Sequence, residues 1–162
     1  MIKFLLGITM VAFTTFCGYL LSKKYRKRML FFQELQVFNE RFLSEIAYAR
    51  RPIKDFVSKY TFYGEFSNLL ADFFACIDDG APFCGDDLQG YTFLKEDEKR
   101  FLEEYFRMLG RGDSASQNAY FSSVKATLSS YKNTAETDGK KYGDLYIKIG
   151  FLCGLLILIL IV

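Results

Sequence analysis

Both ends of this chain are apolar, and everything strongly polar lies between them. Phe4 to Leu21 is an 18-residue run without a charge, and Ile149 to Val162 is a second charge-free run. An uncharged stretch of about 18 residues reads as a membrane-spanning helix. Only a helix satisfies its own backbone within one segment in lipid. The expected organisation is therefore a transmembrane helix over 1–22, a helical body over 23–146 and a second transmembrane helix over 147–162. The body has the size of one domain.

Charge sets the expected topology. Lys23, Lys24, Arg26, Lys27 and Arg28 form a basic collar directly after the first run, opposed only by Lys3. Lys140, Lys141 and Lys148 precede the second run. Basic residues beside a span stay on the cytoplasmic side. The body is expected in the cytoplasm, with both termini across the membrane. A cleaved signal peptide is the competing reading of the first run. No A-x-A site follows it, and its charge sits on the wrong flank. Removing the collar and Lys3 from the 21 Lys and Arg leaves 15 against 19 Asp and Glu. A nucleic-acid binder would carry its positive charge on the folded body, so that class is excluded.

The short second run covers only about 21 Å at 1.5 Å per residue, against a hydrocarbon core of about 30 Å. A thin local bilayer or packing against the first run would cover the difference. Gly150 and Gly154 form a G-x-x-x-G, and Thr14 with Gly18 supplies a small-x-x-x-small face on the other run. Small residues at that spacing either let two membrane helices approach closely or reflect the abundance of Gly in such helices.

The body reads as helix almost throughout. Leu35, Phe38, Phe42, Ile46 and Ala49 mark one stripe, ending before Pro52. A short amphipathic piece follows, stopped at Gly64. Phe66, Leu69, Leu70, Phe73, Phe74 and Ile77 define a second helix, stopped at Asp78-Asp79-Gly80. Residues 80–92 read as loop, rich in Gly and Asp. A helix over about 96–109 follows, with acidic residues in its first turn where the helix dipole favours them. Asp113 is placed to cap a long last helix. In that helix Gln117, Phe121, Val124, Leu128, Tyr131, Ala135, Asp138, Tyr142 and Leu145 repeat every 3.5 residues. Gly139 and Gly143 predict a weak point before the second run.

Chemistry is sparse. There is no histidine, so no histidine general base or Ser-His and Cys-His pair. No phosphate-binding glycine loop is present. Cys76 and Cys84 without histidine make no zinc site. The acidic pairs Asp78-Asp79 and Asp86-Asp87 lack calcium-loop spacing and read as a solvated loop. No enzyme activity, cofactor, metal or small-molecule substrate is expected.

The order of these features carries a resemblance. An N-terminal span and basic collar lead to Glu45-Ile46-Ala47-Tyr48 and Pro52. Next comes Leu109-Gly110-Arg111-Gly112-Asp113, then Gln117, and finally a Tyr142-bearing segment running into a terminal span with Gly150 and Gly154. This pattern resembles stage III sporulation protein AB of endospore-forming Firmicutes, over the whole length. That family is similar to the cytoplasmic domain of the F-type platform protein of type II secretion. The resemblance implies an all-α fold, an antiparallel bundle of about six helices flanked by N- and C-terminal transmembrane helices. It implies a non-enzymatic platform subunit of the channel complex joining mother cell and forespore. The place is the mother-cell side of the outer forespore membrane. The implied partners are a cytoplasmic ATPase like stage III sporulation protein AA and the complex's other membrane subunits.

The motif residues have structural readings first. Gly110 and Asp113 read as a cap pair between helices, with Gln117 bonding back to that turn. Glu45 and Tyr48 read as a buried hydrogen-bond pair. Two other functions remain in view. A two-span sensor would bind a ligand in the helical body. Such a receptor normally places that body outside and adds an output domain, whereas this sequence ends at Val162. A membrane enzyme using the acidic loop on lipid headgroups is the third reading.

Overall fold

The computed structural model describes residues 2–48, 53–80, 82–109 and 113–161. All regular structure among them is helical. Six α-helices follow in order: α1 (Ile2–Tyr48), α2 (Ile53–Lys59), α3 (Gly64–Asp78), α4 (Glu96–Met108), α5 (Ser114–Ser123) and α6 (Lys125–Ile161). A single 3-10 turn, Gly85–Leu88, lies between α3 and α4. The chain divides into two compact units. One holds 1–29 and 134–162, the other Leu30–Asn133.

The second unit is built on aromatic rings. Phe31, Phe32, Leu35, Phe38 and Phe42 of α1 are all buried. Phe38 lies 5.4 Å, centroid to centroid, from each of Phe56, Phe62 and Phe66. Phe121 stands edge-on to both Phe42 and Tyr105 at 5.0 Å. Edge-to-face pairs match the positive ring edge to the negative face, which adds about 1 kcal/mol each beyond area burial. This use explains why a chain with 18 Phe and 11 Tyr exposes few of them here.

One polar relay crosses that core. Asn39 is 1% exposed and sits on the apolar stripe of α1. Its Nδ2 donates to the Phe121 carbonyl at 3.2 Å, and its Oδ1 accepts from Tyr105 Oη at 3.0 Å. α1, α4 and α5 are tied together by these two bonds. Burial holds the Tyr105 hydroxyl well above its ordinary pKa.

Helix ends follow local chemistry. Gly64 and Gly80 take left-handed φ angles of +63° and +69° at the two ends of α3, a region costly for a residue with a Cβ. The Lys95 N–H donates to Glu98 Oε2 at 2.9 Å, closing the first turn of α4. Asp113 Oδ1 accepts from the Ser116 N–H at 3.2 Å and caps α5. Those bonds hold the Asp113 carboxyl below the usual carboxylate range.

The structure differs from the sequence expectation in four places. α1 is continuous over 47 residues, so the N-terminal apolar run and the first bundle helix are one element. The expected long last helix is interrupted at Val124. α6 then runs unbroken through Gly139 and Gly143, where a weak point was expected. Residues 82–94 are a loop that contributes to the core: Phe83, Leu88, Tyr91, Phe93 and Leu94 are buried. Tyr91 Oη donates to Asp72 Oδ2 at 2.7 Å, which pins the loop to α3.

Among the described residues, one helical stretch is long and apolar enough to cross a membrane. It is Ser114–Leu160, α5 running into α6, with a window of mean hydropathy 2.0. The N-terminal run is helical within α1.

Candidate functional site

The first unit is an antiparallel pair formed by the N-terminal part of α1 and the C-terminal part of α6. Gly18, Gly150 and Gly154 meet here with Thr14 and Val11. A Cβ at Gly150 would lie 2.6 Å from the Thr14 carbonyl oxygen and 3.4 Å from Gly18 Cα. One at Gly154 would lie 2.7 Å from Val11 Cα, and one at Gly18 would strike the Tyr146 carbonyl. The neighbours are backbone and cannot yield, so these three positions accept only glycine. Thr14 Oγ1 donates to the Met10 carbonyl at 3.0 Å, and Thr15 Oγ1 to that of Val11 at 2.7 Å. Both hydroxyls are thus satisfied within their own helix.

The outer surface of this pair is apolar. Phe13, Phe16, Leu152, Leu156 and Ile159 are all more than half exposed, while Gly7, Gly18, Ser22, Gly143 and Gly154 are buried. Small residues inside and large apolar residues outside invert the order of a water-soluble core.

The basic collar divides. Lys23, Lys24, Arg26 and Lys27 are exposed. Arg28 departs from the expected surface position: it is 4% exposed, and its Nη1 donates to Asp138 Oδ2 at 2.6 Å. Position 28 continues the inward stripe of Gly18, Ser22 and Tyr25, which the other four cations leave. Asp138, expected on the inner face of the last helix, is its counter-ion. A buried charge needs such a partner. Next to this pair the Tyr25 ring stacks on Tyr146 at 5.7 Å and lies tilted against Tyr142 at 5.4 Å.

The remaining motif residues lie in the second unit. The expected Glu45–Tyr48 pair involves a side chain outside the described residues. Both Glu45 oxygens accept from Lys59 Nζ at 3.2 Å, joining α1 to α2, and the carboxylate raises the Lys59 pKa. The Tyr48 side chain, Pro52 and Gly110 fall outside the described residues. Asp113 is the cap of α5. Gln117 is half-buried one turn later, its N–H donating to the Asp113 carbonyl at 3.0 Å. In the acidic loop, Asp87 Oδ2 accepts from the Cys84 N–H and Asp86 Oδ1 from Gln89 Nε2. These oxygens are spent on local turns. Between α2 and α3 lies an apolar groove of about 320 Å³, lined by Val57, Tyr60, Phe62, Leu70 and Phe74.

The family model of stage III sporulation protein AB matches residues 3–162. The chain belongs to this family. Membership gives it a role in sporulation. No curated protein and no solved structure matches it. Sequence reasoning missed Asn39 and the Arg28–Asp138 pair. Each carried a signal, a polar residue at a position that helical spacing assigns to an inward stripe.

Proposed function

We propose that this chain is a non-enzymatic platform subunit of the channel complex joining mother cell and forespore. Two spans hold the helical body, residues 23–146, on the cytoplasmic, mother-cell side of the outer forespore membrane. There the body docks a cytoplasmic ATPase akin to stage III sporulation protein AA and couples it to the complex's other membrane subunits. The supporting observation is the inverted order of the helix pair, with Gly18, Gly150 and Gly154 inside and Phe13, Phe16, Leu152 and Leu156 outside. Water would penalise that outer surface, whereas lipid favours it. The exposed cations beside the pair favour the cytoplasmic side for the body.

α1 and α6 each contribute to both units. They are therefore the covalent path by which movement of a docked ATPase would reach the membrane. The competing sensor reading draws on the groove between α2 and α3, whose volume is at the lower end for ligand sites.

One labelling experiment separates the two. Cys76 is a poor probe, because burial raises its thiol pKa and thiolate is the reactive form. Thr92 is exposed. With the four native cysteines replaced, Thr92→Cys should react with an impermeant maleimide only after the cells are permeabilised. Labelling in intact cells would place the body outside and favour the sensor. Pull-down of the full-length chain from sporulating cells should recover the ATPase, and its absence would refute docking.

A further inference from the structure

The geometry points to a headgroup site for anionic phospholipid around the helix pair, formed by Lys23, Lys24 and Arg26 of α1 with Lys140, Lys141 and Lys148 of α6. It rests on the two-span reading and adds a lipid class to it. All six side chains are exposed. The ring contacts of Tyr25 with Tyr142 and the seat of Met29 against Gly139 fix the register of the pair. That register brings Lys24 and Arg26 level with Lys140 and Lys141. Lys148 lies nearer the apolar end, within reach of the same plane through its flexible stem.

Among the described residues none of these six cations has a carboxylate partner. The ammonium groups of Lys23, Lys24 and Lys141 instead rest on the rings of Tyr19, Tyr25 and Tyr142 at 5.2, 5.8 and 5.3 Å. Asp138, which could have neutralised the ring, is engaged by Arg28. Asp144 is the exposed carboxylate in this stretch and leaves a large positive excess. Aromatic residues of this kind settle at the headgroup level. A cluster of unpaired Lys and Arg at that level attracts lipid phosphates of net negative charge.

The test uses the full chain in phosphatidylcholine bilayers doped with phosphatidylglycerol, reading the immobilised fraction of each lipid from spin-labelled analogues. We expect roughly threefold or greater enrichment of phosphatidylglycerol over phosphatidylcholine beside the protein, weakening with added salt. The variant Lys24→Gln, Arg26→Gln, Lys140→Gln, Lys141→Gln should lose most of it. Arg28→Gln with Asp138→Asn, which alters the inward pair, should retain it. Equal immobilisation of the two lipids, or full enrichment in the four-site variant, would overturn the site while leaving the two-span reading intact. Release of the chain from membranes by alkaline carbonate would overturn both.

Discussion

Asn39 decides more than its size suggests. It is the polar residue on an otherwise aromatic stripe, and both halves of its amide are used. Tyr105→Phe keeps the ring and removes the donor, leaving Asn39 Oδ1 buried without its bond. Such an orphan costs about 1–3 kcal/mol. Urea unfolding of the full chain in detergent should register that loss. Replacing both partners, Asn39→Leu with Tyr105→Phe, should cost less than the two single changes summed, because their shared bond is then lost only once, while the Phe121 carbonyl loses its Asn39 donor in both Asn39 variants. A double variant no better than the sum of the singles would show that the relay is not a coupled unit.

At the scale of elements, the glycine contacts predict a steep size dependence. Gly150→Ala should already weaken the α1–α6 pair, and Gly150→Leu should separate it. The Thr14 carbonyl is backbone and cannot move aside. The distance between spin labels at the exposed Phe16 and Leu152 reports the pair directly. It should be short and narrow in a chain with Gly150 and be lost with Gly150→Leu. Much of this level was legible beforehand. The spacing of Leu35, Phe38 and Phe42 marked a buried face, Gly64 and Gly80 marked the ends of α3, and Asp113 marked a cap.

Three features were not legible, for physical reasons. The collar separates two apolar patterns suited to different solvents, which hid the continuity of α1. The break at Val124 has no Gly or Pro to announce it. Ser123 Oγ donates to the Tyr120 carbonyl at 2.7 Å, and the same carbonyl accepts from the Val124 N–H at 3.1 Å. The 3.5-residue repeat carried the inner stripe to Leu145, which is 41% exposed. A helix of 3.6 residues per turn drifts off that repeat, and by the fourth heptad Tyr146 has taken the inward place.

At the scale of the molecule, buried phenols set an alkaline limit. Burial pushes Tyr120 up to about 12 from 10.0, and Tyr91, Tyr105 and Tyr131 are also raised. The unfolded chain loses these protons near pH 10, while the folded chain keeps them. The contribution of Tyr120 to stability is whole below pH 10.0 and disappears as pH rises through about 12, and the other three act in the same direction. Tyrosinate absorbance and helical circular dichroism should then change together between those values. Complete tyrosine ionisation with the helix signal intact would contradict the packing of Tyr105.

The Arg28–Asp138 bond joins residues 110 positions apart. During synthesis the arginine leaves the ribosome long before its counter-ion exists. Closing so long a loop from a disordered chain carries an entropy cost that grows with its logarithm. The stacking of Phe32 on Tyr131 at 5.5 Å ties the two chain ends of the second unit together. Once that unit has folded, the search left to the two partners is short. Loop entropy therefore favours an order in which the interior section matures first and the greasy termini zip up last; pairing of the termini before that section gains protection from hydrogen exchange would contradict it.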